Sequence, residues 1–271
     1  MNDPLRRRSV GSPAARSILL TILGEYVLAR GSVWQETLVA ALESMGFTTQ
    51  AARRGIARSA RAGWLTAERR GRRSRMTLTP ETARLLRTGA ERIYAFGSPW
   101  RWDGRWLLVA LRVPERRREL RHEMRTRLSW AGFGSLGGGL WVSPHAERER
   151  EIASAVGDDD DAVVFSFVAT SGSLGDPRAI VDEAWDLASV RTAYRDFIRD
   201  FGRESPKTGE AIFRAQTSMV HAWRKFPFLD PDLPTELLPR QWPRDAAYDL
   251  FRHRHEEWSG PAGLFIDQLE R

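Results

Sequence analysis

Residues 48 to 75, TTQAARRGIARSARAGWLTAERRGRRSR, hold nine arginines and a single acid, Glu68. Guanidinium groups at this density can do one kind of chemistry well: they neutralise phosphate. A wheel drawn over Thr48 to Gly63 at 100° per residue puts Ala52, Ile56, Ser59 and Ala60 on one side, and Gln50, Arg53, Arg54, Ala57, Arg58 and Arg61 on the other. A disordered basic tail has no reason to keep an apolar side. The spacing therefore predicts a folded helix that presents arginine outward, with small residues inside so that it can lie close on its neighbours. Gly55 costs such a helix about 1 kcal/mol relative to alanine.

The flanking segments supply what must position that helix. ARSILLTILGEYVLA places Ile18, Leu19, Ile22, Leu23 and Tyr26 on one helical face. In GSVWQETLVAALESMGF, Ser32 with Gln35 three residues later reads as a capping box, and Gly46 as the stop of that second helix. Thr48 then caps the arginine helix and Gly63 ends it. WLTAE and MTLT alternate as strands around RRGRRS, which predicts a hairpin with a basic tip, and Thr79-Pro80 opens a further helix. Helix, helix, helix, hairpin, helix is the order of a winged helix-turn-helix. In that arrangement the third helix enters the major groove and the wing meets backbone. The DNA-contacting residues expected on this basis are Thr49, Gln50, Arg53, Arg54, Arg58 and Arg61 on the helix and Arg70, Arg72 and Arg73 on the wing. The competing reading is a solvated basic face on a small helical domain.

Charge supports the first reading. Residues 1–90 carry +10, residues 91–178 carry 0 and residues 179–271 carry −3, within a total of +7 for 271 residues. Only Lys207 and Lys225 are lysine against 40 arginines, so arginine here means little more than "basic". The excess is nevertheless confined to one module, the footprint of a polyanion partner. Apolar content of 42% and eleven tryptophans provide enough core to exclude global disorder. No run of about 18 apolar residues is present, which argues against a membrane span. The basic start MNDPLRRRSVGSPAARS leads into no apolar signal core. Cysteine is absent, which removes disulfides, thiolate metal sites and cysteine nucleophiles. A cytoplasmic protein is expected.

The rest of the chain offers weaker chemistry. Trp106 to Val113 reads as a strand, Pro114 to Trp130 as a helix marked by Leu120, Met124 and Leu128, GFGSL and GLWVSP as short strands joined by GGG, Ala146 to Ala155 as a short helix, and VVFSFVA as a last strand. That is the ferredoxin-like βαββαβ order. GFGSLGGG lacks the lysine of a phosphate loop and joins two strands. Asp158 to Asp161 lack calcium-loop spacing. The last third reads as helices around a segment, FPFLDPDLPTELLPRQWP, with five prolines and too many large apolar residues for a loose linker. His253 and His255 are two apart, so one helical face cannot present both to a metal. His221 stands alone. No catalytic triad or carboxylate pair stands out, and no cofactor is expected. The fold expected is α+β, with a winged helix-turn-helix over 1–90, a ferredoxin-like domain over 91–175 and a helical domain over 176–271.

ARSILLTILGEYV, DGRWLLVALRVPERRRELRHEMRTRLSWAGFGSLGGGLWVSP and WRKFPFLDPDLPTELLPRQWP together resemble the PaaX family of bacterial transcriptional repressors. The resemblance covers nearly the whole chain. It implies the same three domains, dimeric operator binding, and release by an aryl-acyl-CoA such as phenylacetyl-CoA. An acyl-CoA needs cations for its phosphates, and the candidates are Arg116, Arg117 and Arg118, or Arg224 and Lys225. The central domain is also similar to small CRISPR-associated nucleases, which carry an aspartate at the end of the first strand. Here Arg112 stands near that place, against the alternative of a nucleic-acid-processing enzyme; an acyl-CoA-utilising enzyme is the other alternative. Partners expected are double-stranded operator DNA, a second copy in a homodimer, and a small-molecule effector.

Overall fold

The computed structural model describes residues 14–98, 100–150, 162–174 and 176–271. Asp158 to Asp161 and much of the helix expected over Ala146 to Ala155 lie outside them; within them, Ala146–Arg148 forms one 3-10 turn. The fold is α+β, with helices and two antiparallel sheets. Packing divides the chain into two compact units. Among the described residues, the first comprises those of 14–95, 197–224 and 248–271, the second those of 96–196 and 225–247.

The first unit begins with α1 (Ala15–Ile22), which continues as a π turn over Leu23–Val27. There follow β1 (Ser32–Trp34), α2 (Gln35–Ser44), α3 (Thr49–Arg61), β2 (Leu65–Arg70), β3 (Arg73–Leu78) and α4 (Pro80–Ala95). The three strands pair in the order β1-β3-β2. Ser32 does not cap α2. Residues 32–34 are extended because Val33 pairs with Met76, and the helix starts at Gln35 with no side-chain cap. Ser32 Oγ instead accepts from Arg75. Leu19, Leu23, Val27, Val33, Leu42, Ile56 and Met76 form the core, joined by Phe213, Ala262 and Ile266 from late helices. Apolar burial of this kind is the main stabilising term.

The second unit carries β4 (Arg105–Arg112), α5 (Arg118–Trp130), β5 (Gly134–Ser135), β6 (Leu140–Ser143), β7 (Val163–Thr170) and α6 (Pro177–Ala184). Its strands run in the order β5-β6-β4-β7, all neighbours antiparallel. α5 starts at Arg118, later than the Pro114 expected, because Pro114–Arg117 closes a turn in which Arg117 N–H donates to Pro114 O at 3.0 Å. Met124 and Leu128 of α5 pack on Leu107, Val109 and Trp141.

The remaining helices are α7 (Leu187–Gly202), α8 (Gly209–Trp223), α9 (Phe226–Leu229) and α10 (Arg244–Glu270). The unit boundary falls inside α7 and α10. α10 runs on past the expected RDAAYDLFRHRHEEW and through Pro261. The proline-rich segment is ordered, and its polar groups close on one another. Asp230 accepts from Tyr194 Oη–H at 2.6 Å and from the Asp232 N–H at 2.7 Å, while Arg244 donates to Asp232 Oδ1 at 3.1 Å and Leu233 O at 2.9 Å. Burial pushes the Asp230 carboxyl above the usual carboxylate range.

Candidate nucleic-acid interface

α3 is built as a two-sided element. Thr48 caps it by accepting from the Ala51 N–H at 3.2 Å, and its inner face buries Ala52, Gly55, Ile56 and Ser59. The Ser59 hydroxyl returns to Gly55 O at 3.0 Å, so the one buried polar group is satisfied. Gly55 has a packing reason: a Cβ there would stand 3.4 Å from the Cβ of Ala15, so α1 and α3 approach closely. Gly46 and Gly63, at φ of 88° and 78°, occupy the left-handed conformation required on either side of the helix.

The outer face carries Thr49, Gln50, Arg53, Arg54, Arg58 and Arg61, all exposed. Thr49 Oγ donates to Glu43 Oε1, so its hydroxyl is already engaged. Among the described residues, none of Arg53, Arg54, Arg58 and Arg61 pairs with a carboxylate. Arg54, Arg58 and Arg61 stand at i, i+4 and i+7, an arrangement that costs an isolated helix a few tenths of a kcal/mol per pair. An anion laid along this face would remove that cost.

The hairpin is tighter than the sequence pattern implied. β2 and β3 extend to Arg70 and Arg73, which face each other across a two-residue turn, Gly71-Arg72, with Gly71 at φ 63°. The hairpin arginines therefore differ in their surroundings. Arg70 donates to both oxygens of Glu68 at 3.2 and 3.1 Å. Arg73 lies over the Trp34 ring at 4.3 Å and 3.8 Å from Glu36. Arg75 is half-buried, bonded to Ser32 and paired with Glu270, which makes it part of the framework. Arg72 sits exposed at the tip with no partner among the described residues. The exposed cations of α3 and the hairpin that have no carboxylate partner among the described residues are thus Arg53, Arg54, Arg58 and Arg61 on α3, with Arg69 and Arg72 on the hairpin.

His221 and His255 are internal connectors. His221 Nδ1 lies 3.1 Å from Thr21 Oγ1, and His255 Nε2 lies 3.1 Å from Glu25 Oε2 in a cluster completed by Tyr94 and Gln216. No group of three or more potential ligands could hold a metal ion among the described residues.

The expected small-molecule cations are placed as follows. Arg224 is buried and donates to Ser17 Oγ at 2.8 Å, inside the first unit. Lys225 immediately precedes α9 in the second unit. Arg116, Arg117 and Arg118 are exposed around the start of α5. None of these five lines the cavity of about 360 Å³ in the second unit. Its cations are Arg112, Arg121 and Arg125, facing Gly137, Gly138 and Gly139. The i, i+4 spacing of Arg121 and Arg125 was the signal available in the sequence. Arg121 is held there by Val113 O at 3.2 Å and Glu115 at 3.8 Å.

Three domain models of one family match the chain: "PaaX-like protein" over residues 14–82, "PaaX protein central Cas2-like domain" over 99–181 and "PaaX-like protein C-terminal domain" over 185–268. The chain belongs to the PaaX family. Among PaaX-family proteins, the transcriptional repressor PaaX of Escherichia coli is 29% identical over 264 residues, covering 93% of this chain and 83% of the repressor. The fold is similar to that of an uncharacterized protein from Mycobacterium tuberculosis, with a TM-score of 0.65 and 21% identity, over 96% of this chain and all of that one. The first PaaX segment spans α1 to the start of α4, and so includes every residue of the arginine face and the hairpin. No helix among the described residues is long and apolar enough to cross a membrane.

Proposed function

We propose that this PaaX-family chain is a DNA-binding transcriptional repressor whose residues 1–90 act as a winged helix-turn-helix. α3 enters the major groove, where Gln50, Arg53 and Arg54 read base edges and Arg58 and Arg61 reach phosphate. The β2–β3 hairpin is the wing, and Arg72 at its tip touches the backbone, with Arg70 and Arg73 beside it. The observation that carries this reading is the outer face of α3, four exposed arginines and a glutamine with no carboxylate partner among the described residues. The Escherichia coli relative, named as a repressor, supports it. The antiparallel strand order β5-β6-β4-β7, with α5 between the first two strands in the chain, supports a ferredoxin-like domain for the central region.

The repressor works as a homodimer, because one winged helix reads a short half-site and two-fold symmetry doubles it at a spacing of about 10 bp or a multiple. An acyl-CoA thioester such as phenylacetyl-CoA releases it. That step requires the ligand to favour one dimer geometry over the other, since equal binding to both shifts nothing. Arg116, Arg117 and Arg118 are the more accessible of the two clusters proposed for its phosphates, Arg224 being buried. The test is to select bound duplexes from a random pool, then titrate the complex with phenylacetyl-CoA, phenylacetate and CoA. Enrichment of a two-fold symmetric site and release by the thioester alone is the expected result. Failure to enrich any sequence overturns the repressor reading, and an enriched site insensitive to all three ligands overturns only the effector.

A further inference from the structure

The cavity of about 360 Å³ in the second unit lies where the end of β4, α5 and the loop between β5 and β6 meet. Three side chains bring positive charge to it: Arg112, the last residue of β4, and Arg121 and Arg125, one turn apart on α5. Arg112 and Arg125 make no hydrogen bond or ion pair among the described residues. Arg121 donates to Val113 O at 3.2 Å and reaches Glu115 at 3.8 Å, but the Glu115 side chain is 95% exposed and can turn away. Three arginines against this one glutamate leave the lining at a net +2.

The loop supplies donors of another kind. The Leu111 N–H donates to Gly139 O at 2.8 Å, and a Cβ on Gly139 would stand 2.3 Å from Leu111 O, so only glycine lets the loop close on the end of β4. The N–H groups of Gly138 and Gly139 have no acceptor among the described residues, and no side chain of their own screens them. The Gly137 N–H donates to Ser135 Oγ at 3.3 Å, which leaves the Ser135 O–H still to be donated. Leu111, Val113 and Trp141 form an apolar back to the cavity. Charges beside such a wall act through a lower dielectric than they would in open water. The segment GFGSLGGG has no lysine of its own, and the fold brings it guanidinium groups from β4 and α5 instead.

We propose that this cavity binds the phosphoryl group of a small ligand, an anion of the diphosphate or phosphate-ester class. The proposal goes beyond the effector reading and uses none of Arg116, Arg117, Arg118, Arg224 and Lys225. A carboxylate could answer only one of the three guanidinium groups, whereas a phosphoryl group offers several oxygens to forked donors. Backbone N–H groups gathered in a concavity favour the same class of anion. At about 360 Å³ the cavity stands at the low end of small-molecule sites, with room for a diphosphate but not for a large ligand to enter whole. It differs equally from the face of α3: a cavity closed by a strand end, a helix and a loop takes a compact anion, not a rod of phosphates.

Calorimetric titration of the full chain with pyrophosphate, methyl diphosphate and acetate tests this. Either diphosphate should bind at one site per chain, and acetate should give no heat. Binding of either supports the site, and the tighter of the two tells a free ion from an esterified ligand. Arg112→Ala and Arg125→Ala should each weaken binding about tenfold, the worth of one charge-assisted hydrogen bond. Neither arginine holds a partner among the described residues, so the Tm without ligand should not move. Arg125→Lys, which keeps the charge and loses the fork, should fall between wild type and Arg125→Ala. Arg53→Ala/Arg54→Ala and Arg116→Ala/Arg118→Ala should bind as wild type does, which separates the cavity from α3 and from the cluster proposed for an acyl-CoA. No heat from either diphosphate, equal binding of acetate, or a loss carried by one of those two pairs in place of Arg112 and Arg125 overturns the site. An operator complex that phenylacetyl-CoA fails to release overturns the effector and leaves this site standing.

Discussion

α3 and α5 are each thirteen residues long and each carries four arginines, yet only one of them looks built to meet a polyanion. In α5 the arginines come with Glu119 and Glu123 in the same helix; Arg127 pairs with Glu123 at 2.5 Å, and Arg121 is anchored by Val113 O and Glu115. In α3 there is no acid at all, and Arg53, Arg54, Arg58 and Arg61 find no carboxylate among the described residues. The inner faces differ too. α5 uses Met124 and Leu128 to reach its sheet, whereas α3 uses Ala52, Gly55 and Ser59 to come close to α1. Arginine count alone therefore says little. What separates the two helices is that two of the four α5 arginines, Arg121 and Arg127, are answered by a carboxylate, and none of the four on α3 is.

The comparison can be broken or sharpened by substitution. The largest effects should be the least discriminating: Ile56→Ala and Met124→Ala each remove a fully buried side chain, and each should cost about 2–5 kcal/mol by chemical denaturation. If either were neutral, the inner face assigned to that helix would be wrong. Arg72→Ala should leave stability unchanged and weaken binding to all DNA alike, lowering the log–log salt slope by about one. A loss confined to one sequence would mean that the hairpin reads bases. The smallest effect belongs to Arg127→Ala, which removes an exposed i, i+4 pair with Glu123 and should cost only about 0.3–0.5 kcal/mol, with DNA affinity untouched.

Much of α3 was legible in the sequence because its cap, stops and two faces are local properties. Thr48, Gly46, Gly63 and the Ala52–Ile56–Ser59 side all depend on neighbours within a turn or two. What was not legible depends on distant partners. Ser32 looked like a cap until β3 arrived to pair with Val33, and Arg75 looked like its neighbours until Glu270, 195 residues on, took it into the framework. Arg224 looked like a ligand cation, but Ser17 claims it from 207 residues away. The segment FPFLDPDLP could be seen to be ordered, yet the reason, Asp230 held by Tyr194 and Asp232 by Arg244, needs α7 and α10 in place. In the same way VVFSFVA read as a strand without showing that its phenylalanines face outward, since that is decided by which side α5 covers.

The most direct test of the central claim is a paired titration of one selected operator, at fixed salt, with two double variants. Arg53→Ala/Arg54→Ala removes two charges without carboxylate partners from α3, and Arg121→Ala/Arg127→Ala removes two carboxylate-paired charges from α5. The account predicts that the α3 pair weakens operator binding by at least tenfold, about 1–3 kcal/mol for each base-reading arginine, and erodes discrimination against mutated operators, while the α5 pair binds as wild type does. Equal losses from the two pairs, or wild-type binding by the α3 pair, would contradict it.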